Sequence, residues 1–187
     1  MTVTVDKLRS QTTPAEDSWL DFEGLFREHW PRLYGVIYRL VGDPAEAEDL
    51  TLEAFWKLHR KIKGSGRVEV LSMGSWLYRV GTNLGLNALR ARKRRLQYEL
   101  EAGKISLEAA PSTNPDGEVE RAEERQRVRQ VLAKMRPRSA KILVLRHSEL
   151  SYAEIAATLK ISPNSVGQLI SRAEKDFERR YRALEGS

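Results

Sequence analysis

Apolar residues recur every three or four positions along most of the first hundred residues, which is the period of one face of an α-helix. The first apolar stripe predicts a helix over 19–40, in which Pro31 introduces a kink or a restart. The Gly-Asp-Pro sequence at 42–44 combines a helix end, an N-cap and a first-turn proline, so a second helix is expected over 44–63. A glycine-bounded segment at 64–74 predicts a loop, and a third helix is expected over 76–96.

The C-terminal part of the chain returns to this helical pattern after an interruption. Residues 103–117 are rich in glycine, proline, serine and asparagine and predict a linker. Apolar stripes then indicate one helix that Pro137 ends and another that follows it. The Ser-Tyr-Ala-Glu sequence at 151–154 is a capping box, and Ser-Pro at 162–163 opens a longer helix. This pair is typical of a helix-turn-helix, although any small helical bundle can contain one.

No alternation of apolar and polar residues persists over the length of a strand, so the sequence predicts an all-α fold. We expect two small helical domains joined by a flexible acidic linker, the second domain containing the helix-turn-helix. In residue numbers, this means a disordered N-terminal tail over 1–17, a first domain over 18–96, a linker over 97–124 and a second domain over 125–184.

Composition excludes several classes of function. No run approaches the ~18 apolar residues of a membrane helix, and the N-terminus lacks the apolar segment of a secretion signal. We therefore expect a cytoplasmic protein without membrane insertion. Cysteine is absent, which removes disulfides and thiolate metal sites, and His29, His59 and His147 are scattered along the chain. We expect no metal site, no cofactor and no catalytic site.

The charge is organised in blocks. The chain carries a formal net charge of +6, which makes a polyanion a plausible partner. Residues 76–95 hold six basic and no acidic side chains, 99–126 hold eight acidic against three basic, and 127–184 hold thirteen basic against five acidic. Two basic blocks therefore flank an acidic connector, and this distribution favours nucleic-acid binding at two separate surfaces.

Three segments in this order resemble a known family: "DPAEAEDLTLEAFWKLHRKI", "SWLYRVGTNLGLNALRARKRR" and "LSYAEIAATLKISPNSVGQLISRAEKDF". Over about residues 20–184 the chain resembles the ECF (extracytoplasmic-function) sigma factors, the small promoter-recognition subunits of bacterial RNA polymerase. The resemblance implies a non-enzymatic transcription initiation factor. Its implied partners are core RNA polymerase, at the β′ clamp helices and the β flap, and promoter DNA. An anti-sigma factor is a further candidate partner.

The first segment is similar to the core-polymerase-binding helix of this family. The resemblance implies that Asp49, Glu53, Phe55 and Trp56 contact the clamp helices. The alternative interpretation is a solvated helix start with aromatics of an ordinary core. The acidic linker would lie near the polymerase active site, as in the family, although a plain spacer also explains it.

The second segment is similar to the promoter-melting helix. The resemblance implies contacts with the non-template strand at the −10 element by Trp76, Tyr78, Arg79, Asn83, Asn87, Arg90, Arg92, Lys93 and Arg94. A melted base needs a polar or aromatic pocket in place of its stack, and phosphates attract arginine. Trp76 has a second explanation, as a core residue at the start of a helix. The basic run of Arg90 and 92–95 also has one, as a solvated helix end, although five positive charges without a counter-charge favour phosphate contact.

The third segment is similar to the DNA-binding domain for the −35 element. The outward residues of its second helix are Asn164, Ser165, Gln168, Ser171, Arg172 and Lys175, and asparagine, glutamine and arginine can pair with base edges. The segment departs from the family at Lys160, where glycine is common and a positive φ would strain a lysine. Gly167, Leu169 and Glu174 also stand where basic or polar residues are common, which predicts a lean contact.

Two other functions compete with this interpretation. A stand-alone helix-turn-helix repressor or activator would explain the C-terminal pair but neither the basic block at 76–95 nor the helix at 44–63. A small nucleic-acid-processing enzyme would use carboxylates such as Asp49 and Glu53. Addition of the protein to core polymerase on promoter DNA distinguishes all three.

Overall fold

The computed structural model describes residues 14–65, 70–103 and 118–186. These residues form helices and contain no strand, which confirms the all-α prediction. The helices in chain order are α1 (Pro14–Val41), α2 (Pro44–Ser65), α3 (Val70–Glu101), α4 (Glu118–Lys134), α5 (Pro137–His147), α6 (Tyr152–Leu159) and α7 (Pro163–Glu185). We call α1–α3 the first half and α4–α7 the second half.

Three helices extend beyond their predicted bounds. Helix α1 begins at Pro14, inside the range predicted as a disordered tail, and α3 begins at Val70, inside the predicted loop. Helix α4 begins at Glu118, inside the predicted linker over 97–124, and α3 continues into that range as far as Glu101. Pro31 lies within α1 and does not end it, since Leu25 and Leu33 on either side are both buried and hold one continuous apolar face. The remainders of the predicted tail and loop, 1–13 and 66–69, lie outside the described residues, as does 104–117 of the predicted linker.

The first half is a bundle of three helices around the apolar stripe of α1. Leu33, Ile37 and Leu40 of α1 are fully buried, as are Leu58 of α2 and Leu77 of α3. Two glycines allow α3 to lie close to α1. An added Cβ at Gly81 would stand 2.6 Å from Leu33 Cδ1, and one at Gly85 would stand 2.8 Å from Leu40 Cδ1.

The second half packs α5 and α6 against the long helix α7. Its buried residues include Ile142 and Leu145 of α5, Ile155 of α6 and Val166 of α7. The capping box predicted for α6 is present, because Ser151 Oγ accepts a hydrogen bond from the Glu154 backbone N–H and Glu154 Oε2 accepts one from the Ser151 N–H at 2.7 Å. This arrangement fixes where the first helix of the helix-turn-helix begins.

The two halves are packed against each other. Helix α3 lies against α4, α5 and α6, and α1 lies against α4 and α5. The buried residues of both halves therefore form one continuous apolar cluster. We call this packed state the closed arrangement, and its consequence is that one side of α3 is covered by the second half.

A pair of glycine substitutions tests the close packing of α1 and α3. Gly81→Leu forces a side chain into Leu33 and Ile37, so we expect it to lower the free energy of unfolding by about 1–3 kcal/mol. Gly24→Leu is the control, because nothing lies within 4 Å of a Cβ there, and higher helix propensity should raise stability by roughly 0.5–1 kcal/mol. Urea unfolding followed by circular dichroism measures both. Equal effects at the two positions would contradict this packing.

Candidate nucleic-acid interface

Helix α2 presents an exposed surface in which apolar and acidic residues alternate at helical spacing. Trp56 is 60% exposed and Leu52 is 47% exposed. Asp49 is exposed beside them, and Glu53 forms an ion pair with Lys57 at 2.7 Å. We call Asp49, Leu52, Glu53 and Trp56 the α2 surface. Leu52 was not among the contacts predicted from the sequence, although it stands four residues before Trp56 and so lies on the same helix face.

Phe55 does not belong to this surface. Its ring is 2% exposed and lies 4.7 Å from the ring of Phe26 and 5.8 Å from that of Trp30, measured between centroids. Phe22 approaches it edge-on at 6.3 Å. The neighbouring predicted contacts, Phe55 and Trp56, thus point in different directions, because adjacent helical positions lie about 100° apart. The structure makes Phe55 a core residue that holds α2 against α1.

The residues predicted on α3 fall into three groups. Tyr78 is only 3% exposed. Trp76, Arg79, Asn83, Arg90 and Lys93 are half-buried, and Asn87, Arg92 and Arg94 are exposed. These residues all lie along α3, but the second half covers part of that helix. Arg90 donates a hydrogen bond to the Met135 carbonyl at 3.0 Å and is thereby tied to the end of α4.

Tyr78 lies where the halves meet. The ring of His29 stands edge-on to its ring, with 5.7 Å between centroids. Burial raises the pKa of the Tyr78 hydroxyl, and the nearby Arg32 guanidinium opposes this only in part. The tyrosine predicted to face DNA is therefore enclosed in the closed arrangement, because the second half covers its side of α3.

The predicted reading face of α7 is open. Asn164, Gln168, Ser171, Arg172 and Lys175 are exposed and Ser165 is half-buried. Their spacing places them on the side of α7 opposite Val166, Ile170 and Ala173, which are buried. Lys160, in the turn before α7, has φ 54° and ψ 55°, a left-handed conformation that costs a non-glycine residue about 1 kcal/mol. The concern that a lysine strains this turn is confirmed.

Arg32 of α1 joins the halves through three hydrogen bonds. Its Nε donates to the Ser148 carbonyl at 3.3 Å, and its Nη1 donates to Glu154 Oε1 at 3.0 Å. Its Nη2 donates to the Glu149 carbonyl. Arg39, two turns further along α1, reaches Ser148 Oγ at 3.4 Å. One planar guanidinium thus holds the turn between α5 and α6.

Glu154 serves two structures with one carboxylate. Oε2 closes the capping box of α6 and Oε1 binds Arg32 of the other half. Burial alone would raise its pKa, but the hydrogen bonds to Ser151 together with the charge of Arg32 hold the pKa of this carboxyl below its usual value. The start of the helix-turn-helix is therefore linked to the contact between the halves.

Within the residues that the structure describes, no group of three or more histidine and acidic side chains could hold a metal ion. Among those same residues, no helix is long and apolar enough to cross a membrane. The chemistry that the exposed surfaces offer is binding: an apolar and acidic surface on α2, a basic helix α3 and a polar face on α7.

Family models match two parts of the chain. The model described as Sigma-70 region 2 matches residues 25–95, which span α2 and most of α1 and α3. The model described as Sigma-70, region 4 matches residues 125–177, which include the helix-turn-helix. The two matches together cover the α2 surface, the basic part of α3 and the exposed face of α7.

Curated proteins that align with most of this chain are named RNA polymerase sigma factors. The chain is 32% identical over 166 residues to ECF RNA polymerase sigma factor SigE of Mycolicibacterium smegmatis, covering 87% of this chain and 61% of the relative. It is 28% identical to ECF RNA polymerase sigma factor SigW of Bacillus subtilis, covering 90% and 91%. It is 30% identical to the RNA polymerase sigma-H factor of Pseudomonas aeruginosa, covering 87% of each.

Two solved structures share the fold. CnrH in complex with the cytosolic domain of CnrY aligns with a TM-score of 0.58 at 18% identity, over 91% of this chain and 95% of that one. The sigma factor RpoE of Bartonella quintana, solved with the anti-sigma factor NepR, aligns with a TM-score of 0.50 at 19% identity, over 85% and 95%. At these identities the likeness concerns the fold alone.

The link between Arg32 and Glu154 predicts that the closed arrangement opens in acid. The hydrogen bonds to Ser151 lower the pKa of Glu154 within the second half itself, whereas Arg32 lowers it further only when the halves are packed. The contribution of Glu154 to closure is therefore complete above its pKa in the open state and is lost as the pH falls through its lower pKa in the closed state. Energy transfer between dyes on Arg60→Cys and Ala157→Cys, in a chain without other cysteines, reports the separation of the halves. We expect the transfer to fall in that pH range.

Variants identify the group responsible. Arg32→Ala should raise the ratio of open to closed molecules about fivefold at neutral pH, equivalent to about 1 kcal/mol for a partly exposed pair. Glu154→Gln should flatten the acid transition. Asp176→Asn is the matched control, because the Asp176 carboxylate also has a lowered pKa, held down by Arg180 and Arg179 against the effect of burial, but its partners lie on its own helix. A transition that depends on Asp176 and not on Glu154 would exclude this link.

Proposed function

Because the chain belongs to the ECF family of RNA polymerase sigma factors, we propose that it binds core RNA polymerase and directs it to specific promoters. The observation that carries this proposal is the presence of both sigma regions on one chain, in the order and with the length of SigW and the sigma-H factor. Catalysis remains in the polymerase, and this chain acts as a transcription initiation factor.

The α2 surface is our candidate for the polymerase contact. Its centre is a half-exposed tryptophan beside Leu52, and its edge carries Asp49 and Glu53. An apolar centre with a charged rim is the composition of a helix that docks on a partner helix. We propose the β′ clamp helices as that partner and the β flap as the partner of the second half. Phe55 supports this surface from the core.

Helix α3 is our candidate for the −10 element. Asn83 and Asn87 lie four residues apart on one face, and Arg92, Lys93 and Arg94 follow toward the C-terminal end. The asparagines can hydrogen-bond an unstacked base and the cations can neutralise phosphates. Two asparagines within a helix are unfavourable by propensity, which supports a binding role.

Helix α7 is our candidate for the −35 element. Asn164 and Gln168 suit adenine edges and Arg172 suits guanine in the major groove. This face carries two cations, Arg172 and Lys175, and one exposed acid, Glu174. The contact is therefore lean, and α3 and the polymerase supply much of the total binding free energy.

The closed arrangement must open for promoter binding in this proposal. Tyr78 is buried between the halves and Arg90 is hydrogen-bonded to Met135 of α4. Both are residues that we place at the −10 element, so DNA and the second half compete for one side of α3. An anti-sigma factor that favours the closed arrangement remains a candidate partner.

Initiation assays with purified core polymerase test the proposed function. We expect the protein to support transcripts from its promoters, which core alone does not make. Trp56→Ala should weaken binding to core by about tenfold or more, as loss of a buried interface tryptophan does, with little change in stability because Trp56 is exposed. Phe55→Ala, next to it, should instead destabilise the fold by about 3–5 kcal/mol.

Two results would overturn the proposal. If core initiates no better with the protein than without it, the sigma function is wrong, and specific duplex binding without polymerase would favour a repressor. Metal-dependent cleavage of DNA would favour an enzyme built on Asp49 and Glu53.

The division of labour between α3 and α7 is testable on promoter DNA. Asn83→Ala should reduce permanganate reactivity of melted thymines more than it reduces binding of duplex promoter by the holoenzyme. Arg172→Ala should show the reverse, with an expected loss of about 1–3 kcal/mol in discrimination at one base pair of the upstream element. Equal losses in both assays for both variants would remove this assignment.

A further inference from the structure

A groove of about 410 Å³ runs between the C-terminal part of α3 and α4, where the two halves meet. We call it the α3–α4 groove. Its cationic residues are Arg92, Lys93, Arg129 and Lys134, and no acidic side chain among the described residues lines it. Three glutamines also line it, and the remaining residues are apolar: Val41, Leu89, Leu96, Leu100 and Ala133. Both halves thus contribute cations to one space.

Two guanidinium groups meet at the end of α1. Arg92 Nη1 lies 3.5 Å from the Val41 carbonyl oxygen. The Arg129 guanidinium lies over Gly42, so close that a Cβ at this residue would stand 2.6 Å from Arg129 Cζ. Gly42 has φ 77° and lacks a side chain, and this leaves room for the Arg129 guanidinium beside Arg92.

The cations influence each other. Burial lowers the pKa of Arg129, and the charges of Arg92 and Arg125 lower it further. Burial likewise lowers the pKa of Lys93, with the charge of Lys134 across the groove adding to the effect. Among the described residues, none of these five cations takes part in an ion pair.

Two carboxylates of the second half, Glu124 and Glu174, line the neighbouring cavity and not this groove. Glu124 pairs with Arg127 at 3.3 Å and accepts a hydrogen bond from Tyr181. Glu174 lines the neighbouring cavity, which Arg125 and Arg129 also border. The groove itself is therefore a concentrated positive site on the surface where the halves join.

Capping of α1 explains only part of this cluster. The carbonyl end of a helix carries the equivalent of about half a negative charge, which is less than two guanidinium groups bring. Lys134 lies in the last turn of α4, and Lys93 has no ion pair among the described residues. The repulsion between these two lysines acts across the junction of the halves. A multiply charged anion placed between them would convert repulsion into charge-assisted hydrogen bonds.

We propose that the α3–α4 groove binds a polyphosphate group, free or carried by a nucleoside, and that the bound anion holds the two halves in the closed arrangement. The cations of α3 and α4 bind the phosphates from opposite sides. The exposed apolar residues beside them, Leu96 and Leu100, offer a surface for a base. This site goes beyond promoter recognition and does not rest on it.

Binding is tested with isolated protein by titration calorimetry, with sodium tripolyphosphate and ATP as the two probes at fixed ionic strength. We expect saturable binding of at least one probe, weakened about tenfold or more by Arg129→Gln and largely kept by Arg129→Lys. Arg121→Gln is the matched control, because it removes one exposed positive charge from the same helix outside the groove. Tighter binding of ATP would assign the apolar surface to a base, and equal binding would assign the site to the free anion.

Closure is tested with the dye pair at positions 60 and 157. Tripolyphosphate or ATP should raise the energy transfer, with Arg129→Gln abolishing the rise and Arg121→Gln leaving it. The proposal is overturned if neither probe binds or if Arg129→Gln and Arg121→Gln weaken binding equally. It is also overturned if a bound probe lowers the energy transfer between the dyes. Binding of a single-stranded oligonucleotide where neither small probe binds would also overturn it, because the groove would then serve nucleic acid alone.

Discussion

The arrangement of the molecule depends on α3, which packs against α1 and α2 on one side and against α4, α5 and α6 on another. Gly81 and Gly85 allow it to approach α1, and this fixes the first half as a bundle. The basic residues of α3 then have only the remaining side and the C-terminal turns available for a partner. The candidate DNA-binding surface on α3 is consequently one that the second half partly covers.

Polar contacts between the halves stabilise the closed arrangement, and they act against the repulsion between cations of the two halves. Arg32 donates to the carbonyls of Ser148 and Glu149 in the α5–α6 turn and pairs with Glu154 of α6, and Arg39 adds a contact with Ser148 Oγ. Elsewhere along α3, like charges face each other: Lys141 of α5 has its pKa lowered by burial and by Arg90 and Arg79. Apolar burial and Arg32 favour closure while these cations resist it, so the balance is sensitive to anions and to the pH range in which Glu154 titrates.

Most elements could be predicted from the sequence because their signals are local. The capping box of α6, the proline at the start of α7 and the three- and four-residue periodicity fixed helix positions without tertiary information. The exposed face of α7 followed from that same period. The predictions that missed were those that depend on packing: Phe55 and Trp56 are adjacent in the sequence, and only the rings of α1 decide which one is buried.

The burial of Tyr78 was beyond local signals for a different reason. Its position on α3 suits either a DNA contact or a contact between the halves, and the local sequence does not distinguish the two. The residues that decide between them, Arg32 and Glu154, are 122 positions apart. In our proposal α3 binds DNA in one state and the second half in another, so its surface carries polar, basic and aromatic residues that suit both partners. Composition therefore identifies such a surface as a binding site, but only the closed packing identifies its second occupant.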